Sequence, residues 1–264
     1  MTTTASTVNA ADGAAIAFDD QGSGKALVLV HGITESRRGW DPVTEGLAAH
    51  WRVVRVDLRG HGESERRAPY DAATMAADVA TVVDALDLDR PLLVGHSLGG
   101  VVVSAYGGAG YPARGIVNVD QALQLAAFQA ALEPLVPMLR GSDDEFRTAV
   151  ATMFAVLDGP IPPGERARLD ALSSPERDVV LGVWAPLLDL SADDLDMLAT
   201  DLLTGIRVPY LAIHGSDPGV EYVQWLLARV GNARVEVWPD HGHYPQLVDP
   251  DRFVERLDQF DGGL

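Results

Sequence analysis

The sequence predicts an α/β protein built on a mostly parallel sheet, and two observations carry that prediction. Short runs of apolar and β-branched residues, each the length of a strand, recur along the chain. Longer stretches with apolar residues at every third or fourth position lie between them, which is typical of helices that cover both faces of a parallel sheet. A chain of 264 residues is long enough for one large domain of this kind or for two small ones.

The first predicted element is a hairpin. Residues Thr7 to Phe18 contain a turn at Gly13 between two weak strands, which predicts an antiparallel edge to the sheet. The strands predicted after it are Ala26–Val30, Val53–Val56, Pro91–Val94, Ile116–Val119, Val208–Ile213 and Val235–Trp238. The helices predicted between and after them include Asp71–Leu86, Leu98–Tyr106, Glu221–Val230 and Pro250–Phe260.

One interval breaks this alternation. Residues 121–207 contain several helix-like segments, separated by proline and glycine, but no convincing strand, and the interval is too long for a plain connection. We therefore predict a helical cap over residues 121–207, inserted into a core domain formed by residues 1–120 and 208–264.

Composition excludes several classes of function. Lys and Arg number 20 against 38 Asp and Glu, a formal net charge of −18, which disfavours binding to nucleic acid and to anionic membranes. The absence of cysteine excludes disulfides, thiolate metal sites and a cysteine nucleophile. The expected partner is a small-molecule substrate, and the sequence does not indicate an oligomeric state.

The start of the chain indicates a location. Residues 1–6 lack the basic and apolar segments of a secretion signal, and no uninterrupted apolar run reaches the roughly 20 residues that a spanning helix needs. We therefore expect a soluble, cytoplasmic protein.

The most specific motif is G-H-S-L-G at residues 95–99, directly after a predicted strand and directly before a predicted helix. A serine flanked by glycines at such a turn can adopt a strained backbone conformation that exposes its hydroxyl above the sheet. The following helix offers backbone N–H groups to a developing oxyanion. Ser97 is therefore the predicted nucleophile, and an ordinary glycine-rich turn is the alternative interpretation.

A second loop complements this turn. His31-Gly32-Ile33 follows the strand that ends at Val30, so it can bring the Ile33 N–H beside that of Leu98 as a second oxyanion donor. A tight turn that merely needs Gly32 is the alternative.

A serine nucleophile needs a base, and seven histidines compete for that role. Most of them adjoin a glycine, a strand end or a helix end, where packing explains them: His31, His50, His61, His96 and His214. The loop after the last predicted strand contains His241 and His243, and we favour His243 because it precedes the run that opens the last helix. The spacing of these two histidines also suggests a metal site, but no third ligand stands at a recognisable spacing, so no metal is predicted.

Two aspartates compete to orient the base. Asp217 follows the strand that ends near His214, and Asp120 ends the strand at Ile116–Val119. Either side chain can instead be a helix cap or a turn carboxylate.

Taken together, these motifs resemble the α/β-hydrolase superfamily, and the resemblance extends from Thr7 to Phe260. It is carried by His31-Gly32, by D-L-R-G-H-G-E-S at residues 57–64, by G-H-S-L-G-G at residues 95–100 and by Gly242-His243. It implies the α/β-hydrolase fold with a sheet of about eight strands, a nucleophile elbow at Ser97, oxyanion donors at Ile33 and Leu98, and His243 as base.

The acid is where the sequence departs from the family pattern. Most members place it three residues beyond a strand-end glycine, whereas Asp217 lies only two beyond Gly215. Some haloalkane dehalogenases and zearalenone-type lactone hydrolases take the acid after the sixth strand, which resembles the position of Asp120. Aspartate is common there without a catalytic role, so we favour Asp217 and keep Asp120 as the alternative.

These residues predict a serine hydrolase, of the carboxylesterase or lactonase kind, that cleaves an ester, lactone or related acyl bond without a cofactor. The predicted substrate-binding residues are His31, Gly32, His96 and, from the cap, Trp184. Apolar residues of the cap suggest an apolar substrate, although a core stripe explains most of them equally well. The alternatives are cofactor-free perhydrolysis resembling the bacterial non-haem haloperoxidases, carbon–carbon bond hydrolysis, and a non-hydrolytic ligand receptor.

Overall fold

The structure is a computed structural model that describes residues 6–157 and 159–264. The prediction that the chain starts without a secretion signal falls largely on residues 1–5, which lie outside the described residues. In the described part of the chain, eight strands form one sheet. They are β1 Ser6–Asn9, β2 Ala15–Gly22, β3 Lys25–Val30, β4 Trp51–Val56, β5 Leu92–His96, β6 Gly115–Val119, β7 Tyr210–His214 and β8 Ala233–Val237. The hairpin and the six strands predicted after it are present, and each end of those six strands lies within two residues of its predicted position.

The strand order is β1-β2-β4-β3-β5-β6-β7-β8. The hairpin strands β1 and β2 pair antiparallel with each other, and β2 also pairs antiparallel with β4. All the remaining pairs, from β4 to β8, are parallel. The predicted mixed sheet with one antiparallel edge is therefore confirmed.

Helices cover the sheet on both faces. They are α1 Asp41–Ala48, α2 Ala72–Ala85, α3 Leu98–Gly108, α4 Ala126–Leu132, α5 Val136–Leu139, α6 Asp143–Leu157, α7 Pro163–Leu172, α8 Arg177–Asp189, α9 Ala192–Thr204, α10 Val220–Arg229, α11 Pro245–Val248 and α12 Pro250–Gly262. Alternate residues of β3 enter different apolar clusters, because successive strand side chains point to opposite faces. Val28 packs in the cluster that includes α2, α3 and α10, and Leu29 packs in the cluster that includes α1 and α12.

Helices α4–α9 occupy the predicted cap interval between β6 and β7. The last of them packs against α3 of the core layer, since a Cβ added at Gly108 or at Gly205 would meet the backbone of the other helix segment. Helix α9 thus lies with the core, and the division into a cap of residues 121–207 remains a prediction. Among the residues that the structure describes, no helix has the length and apolar character needed to cross a membrane.

This topology brings several strand ends to one place. Parallel strands β3, β5, β6 and β7 are adjacent, so their carboxyl ends meet at one edge of the sheet, where open α/β sheets bind ligands. The turn between β8 and α11 returns to the same edge, because the Gly242 N–H bonds the carbonyl of Gly215, just beyond β7.

Candidate active site

Ser97 lies at the sharp turn between β5 and α3. Its φ of 51° and ψ of −121° place a non-glycine residue in a rarely populated backbone region, which is the strain expected of a nucleophile elbow. The flanking glycines permit the turn, since a Cβ at Gly95 would collide with the carbonyl of Gly99, and one at Gly99 would collide with the carbonyl of Val30. The Ser97 N–H bonds the carbonyl of Val119 at 3.0 Å, which ties the elbow to the end of β6.

His243 lies in the turn before α11 and carries the expected features of a base. Its Nδ1 is 2.7 Å from Oδ2 of Asp120, and its side chain is only 7% exposed. Its Nε2 is buried and has no hydrogen-bond partner among the described residues. Because the Asp120 carboxylate accepts a hydrogen bond from the Nδ1–H of His243, the Nε2 lone pair is left available to a hydroxyl.

The structure corrects the preference for Asp217 as the orienting acid. Asp217 is exposed, and its carboxylate accepts the N–H of Gly219 at 2.9 Å within its own turn. Asp120, the alternative, contacts His243 instead. Its φ of 50° turns the chain at the end of β6, and the Gly215 N–H donates to its other carboxylate oxygen at 2.8 Å.

The surroundings of Asp120 keep it ionised. Burial alone would raise the pKa of this carboxyl, but the hydrogen bond to His243 and the N–H of Gly215 outweigh burial and lower it. An ionised carboxylate against Nδ1 fixes the tautomer of the imidazole and stabilises the imidazolium that forms when the base accepts a proton.

The predicted oxyanion donors lie beside the elbow. Leu98 is the first residue of α3, so its N–H has no partner within the helix. The loop of Gly32 and Ile33 follows β3, and a Cβ added at Gly32 would lie 3.2 Å from the Cβ of Ser97. The loop therefore passes within contact distance of the nucleophile, where the Ile33 N–H can serve as the second donor.

Two of the predicted substrate-binding residues have other roles in the structure. His31 is fully buried, and both ring nitrogens are used by backbone, with Nδ1 donating to the carbonyl of Gly32 and Nε2 accepting the N–H of Leu58. His96 is 1% exposed, and its Nε2 donates to the carbonyl of His243 at 2.8 Å. These bonds correct both predictions, because they leave the His31 nitrogens and His96 Nε2 committed to the protein itself.

For Gly32 and Trp184, a role in substrate binding stays a prediction. Gly32 stands between Ser97 and the side chain of Glu35, as its missing Cβ allows. Trp184 in α8 is buried, and its ring meets that of Phe128 in α4 edge-on, with centroids 5.9 Å apart.

Glu35 is a residue of this region that sequence reasoning missed. Its carboxylate accepts the Gly32 N–H at 3.3 Å and lies 3.7 Å from Nδ1 of His96. Burial would raise its pKa, but His96, His31 and a hydrogen bond from Tyr244 outweigh burial and lower the pKa to about 2. The one signal in the sequence is that Glu35 is the only acidic residue between His31 and Trp40, and spacing alone does not show that its carboxylate turns toward His96.

The remaining histidines do not face the elbow as bases. His214 is buried against Tyr222, and burial lowers its pKa despite Asp120 nearby. His61 is buried against His31, and burial lowers its pKa to about 4. His50 is exposed and pairs with Asp258. Within residues 6–157 and 159–264, no group of three or more histidine and acidic side chains is arranged to hold a metal ion.

The comparisons with known proteins agree with this fold. The sequence model of the alpha/beta hydrolase family matches residues 27–256, so the chain belongs to that family and has the α/β-hydrolase fold. A non-heme haloperoxidase from Rhodococcus erythropolis is 30% identical, covering 92% of this chain and 94% of the relative.

Among solved structures, a putative aryl esterase from Burkholderia cenocepacia has a TM-score of 0.79 and 26% identity, covering 97% of both chains. An esterase from Rhodococcus sp. ECU1013 has a TM-score of 0.75 and 28% identity, covering 97% of this chain and 98% of the other. The chain is thus a member of a hydrolase family whose similar proteins include esterases and a haloperoxidase.

Proposed function

We propose that this protein is a serine hydrolase that cleaves an ester, lactone or related acyl bond of a small, apolar substrate. One observation carries the proposal, which is the contact of 2.7 Å between Asp120 and Nδ1 of His243 at the same sheet edge as the strained Ser97. An oriented imidazole with a free Nε2 is the group that a serine hydroxyl needs for activation. The esterases among the similar structures support the same class of reaction.

In the proposed reaction, His243 takes the proton of the Ser97 hydroxyl as the serine oxygen attacks the substrate carbonyl. The resulting oxyanion accepts hydrogen bonds from the backbone N–H groups of Ile33 and Leu98, each worth roughly 3 kcal/mol of barrier. His243 then gives its proton to the leaving alcohol, and an acyl-enzyme remains. Water, activated by the same imidazole, releases the acid and regenerates Ser97.

The proposed substrate is apolar because of the helices between β6 and β7. Their buried side chains include Phe146, Met153 and Trp184, and Phe128 packs against the last of these. Pockets for small molecules are lined mainly by such groups, with a few polar groups that fix orientation.

The experiment that tests the proposal combines labelling with turnover. We expect a fluorophosphonate to label the wild-type protein once, at Ser97, as shown by peptide mass spectrometry. A panel of p-nitrophenyl esters of increasing acyl length, together with lactones, would then identify the preferred acyl group. Ser97→Ala should abolish labelling and lower kcat on the order of 10⁶-fold. An active Ser97→Ala variant, or an unlabelled and inactive wild type, would contradict the proposal.

A second candidate, perhydrolysis, is favoured by the similarity to a non-heme haloperoxidase. In that reaction hydrogen peroxide replaces water as the acceptor, so a carboxylic acid and peroxide yield a peracid and water at the same serine. Incubation with acetate and peroxide, with peracid measured by halide oxidation, tests it. Peracid formation at a kcat/KM above that for the best ester would make perhydrolysis the main activity.

A further inference from the structure

His96 links the nucleophile elbow to the turn that carries the base. It directly precedes Ser97, its Nε2 donates to the backbone carbonyl of His243 at 2.8 Å, and the two imidazole rings are 4.8 Å apart. A carbonyl oxygen only accepts hydrogen bonds, so Nε2 of His96 must carry a proton. The position of the His243 backbone therefore depends on His96.

Glu35 links the same histidine to the oxyanion loop. Its Oε2 lies 3.7 Å from Nδ1 of His96, an ion-pair distance, and accepts the N–H of Gly32 at 3.3 Å. The residue after Gly32 is Ile33, the proposed oxyanion donor. Glu35 and His96 thus join the oxyanion loop, the elbow and the His243 turn, which are separate in the sequence.

The geometry favours an ionised pair, because Nδ1 of His96 is buried, has no hydrogen-bond partner among the described residues and lies within ion-pair distance of the Glu35 carboxylate. Burial would lower the pKa of His96, but the Glu35 carboxylate more than offsets burial and raises it. Solvent reaches the carboxylate, since Glu35 is 14% exposed and lines a cavity of about 280 Å³ behind the loop. Bulk pH can therefore act on the pair.

Other titratable groups face the pair from each element around it. They are His31 at the end of β3, Asp120 at the end of β6, His243 and Tyr244 in the turn before α11, and Arg166 of α7, which lies over the Tyr244 ring. His31 is buried, which lowers its pKa, and its Nε2 accepts the N–H of Leu58, so that nitrogen carries no proton. Glu35 is thus the carboxylate within ion-pair distance of His96, and Asp120 also acts on His96 electrostatically.

We propose that Glu35 and His96 are positioning residues, a partly buried ion pair that fixes the oxyanion loop and the His243 turn against Ser97, so that turnover weakens when His96 loses its proton. This inference rests on the proposed hydrolase function and adds an alkaline limit to it. Loss of the charge on His96 leaves the partly buried Glu35 carboxylate without its cationic partner, and the contact that joins the loop to the turn is weakened. A displacement of about 1 Å at such a site costs about 10²-fold in rate.

The sign of the pH effect follows from the two shifts. The pKa of Glu35 is lowered, so its contribution to stability is complete above about pH 4.5 and is lost as pH falls toward 2. The pKa of His96 is raised, so its contribution is complete below about pH 6.5 and is lost as pH rises through the folded-state value. Turnover should therefore fall on the alkaline side as His96 titrates.

The test compares Glu35→Gln, His96→Gln and the double variant by pH profiles of kcat and KM on the best ester. Each single variant should lower kcat by about 10- to 100-fold near pH 7 with little change in KM. The kcat of the double variant should be no lower than that of the less active single variant, because each single change already removes the same interaction. In Glu35→Gln the alkaline limb should move to lower pH, because the buried imidazolium has lost its carboxylate. In His96→Gln that limb should be absent.

Matched controls separate positioning from general damage. His50→Gln makes the same exchange in an exposed pair with Asp258 and should leave kcat and the pH profile unchanged. If Glu35→Gln does not fold, Glu35→Asp keeps the charge on a side chain one methylene shorter, which weakens the attraction to Nδ1 of His96 and should shift the limb less, in the same direction.

Two results would overturn this inference. One is an alkaline limb that stays in place in Glu35→Gln or Glu35→Asp, and the other is an additive loss in the double variant. If these occur while the wild type is labelled at Ser97 and turns over ester, the positioning role alone fails. If the wild type is neither labelled nor active, the proposed function fails with it.

Discussion

Asp120 is the carboxylate that contacts Nδ1 of His243 in this structure, so under the proposed function its removal should differ sharply from removal of Asp217. Asp120→Asn replaces an ionised acceptor by an amide that can present its NH₂ to Nδ1, which disfavours the productive tautomer. We expect kcat for ester hydrolysis to fall by about 10⁴-fold, with a smaller change in KM. Steady-state kinetics near neutral pH on the best substrate of the ester panel measure both parameters.

Asp217→Asn is the matched control, because the exchange is identical and the residue bonds only the Gly219 N–H of its own exposed turn among the contacts described. It should retain wild-type turnover. A large loss in Asp217→Asn together with an active Asp120→Asn would reverse the assignment of the acid and restore the prediction made from the sequence.

The sequence predicts Ser97 and His243 of the candidate site more readily than it predicts which carboxylate contacts His243. Ser97 and His243 stand in motifs whose local context is readable, a strand before a helix and a loop after the last strand. The choice between two aspartates depends on backbone torsion, because the φ of 50° at Asp120 aims its carboxylate at both Gly215 and His243. Torsions of this kind follow from tertiary packing, and residue spacing does not report them.

The crossing of β3, β5 and α3 is the element-level feature on which the elbow depends. A Cβ at Gly99 would lie 2.7 Å from the carbonyl carbon of Val30. Gly99 belongs to the buried helix α3 and Val30 to the central strand β3, so no flexible side chain can move aside. Gly99→Ala should therefore destabilise the fold by about 1–3 kcal/mol, because the clash can be relieved only by movement of α3 away from the sheet. Urea unfolding followed by circular dichroism measures the change.

The control for this exchange is Gly164→Ala near the start of α7, where an added Cβ meets nothing within 4 Å. It should stabilise the protein by up to about 1 kcal/mol, since alanine has less backbone freedom to lose on folding. Equal and small effects of the two exchanges would show that α3 can shift without cost.

At the scale of elements, periodicity predicts the strands and the long helices but not the short ones. Helix α1 at Asp41–Ala48 contains a proline and a glycine, and α5 and α11 have only four residues each. Such segments carry too few turns for a 3.6-residue period to emerge, and their helical state comes from packing. The contact of α9 with α3 is likewise invisible in the sequence, where α9 looks like its neighbours in the cap interval.

Across the whole molecule, a net charge of −18 coexists with arginines that are almost fully buried. Arg37 and Arg55 share the carboxylate of Asp19, and Arg37 also bonds Asp57. Arg59, after β4, binds both carboxylate oxygens of Asp78 in α2 at 2.6 and 2.7 Å. The acidic excess therefore lies mainly at the surface. Composition cannot show that buried arginine–aspartate ion pairs lie in the interior next to the antiparallel edge.

The Arg59 pair tests this arrangement, because the side chains of Arg59 and Asp78 are 1% and 3% exposed. Arg59→Met keeps much of the apolar volume but leaves the Asp78 carboxylate buried without its cation, and should lower the free energy of unfolding by about 3–5 kcal/mol at pH 7. Arg140→Met is the control, since Arg140 pairs with Asp189 at the surface, where both side chains are more than half exposed. Its cost should be at most about 1 kcal/mol.

The pH dependence of the Arg59→Met deficit distinguishes an unpaired charge from lost packing. Burial raises the pKa of Asp78 even with Arg59 present, and removal of Arg59 should raise it further. A carboxyl whose folded-state pKa is raised binds its proton more tightly in the folded state, so the folded state gains stability as pH falls through that value. Urea unfolding at pH 7 and at pH 5 should therefore show the deficit of Arg59→Met shrinking at the lower pH, while Arg140→Met shows no such recovery. A deficit that stays constant would mean that packing of the arginine stem, rather than its charge, stabilises this part of the core.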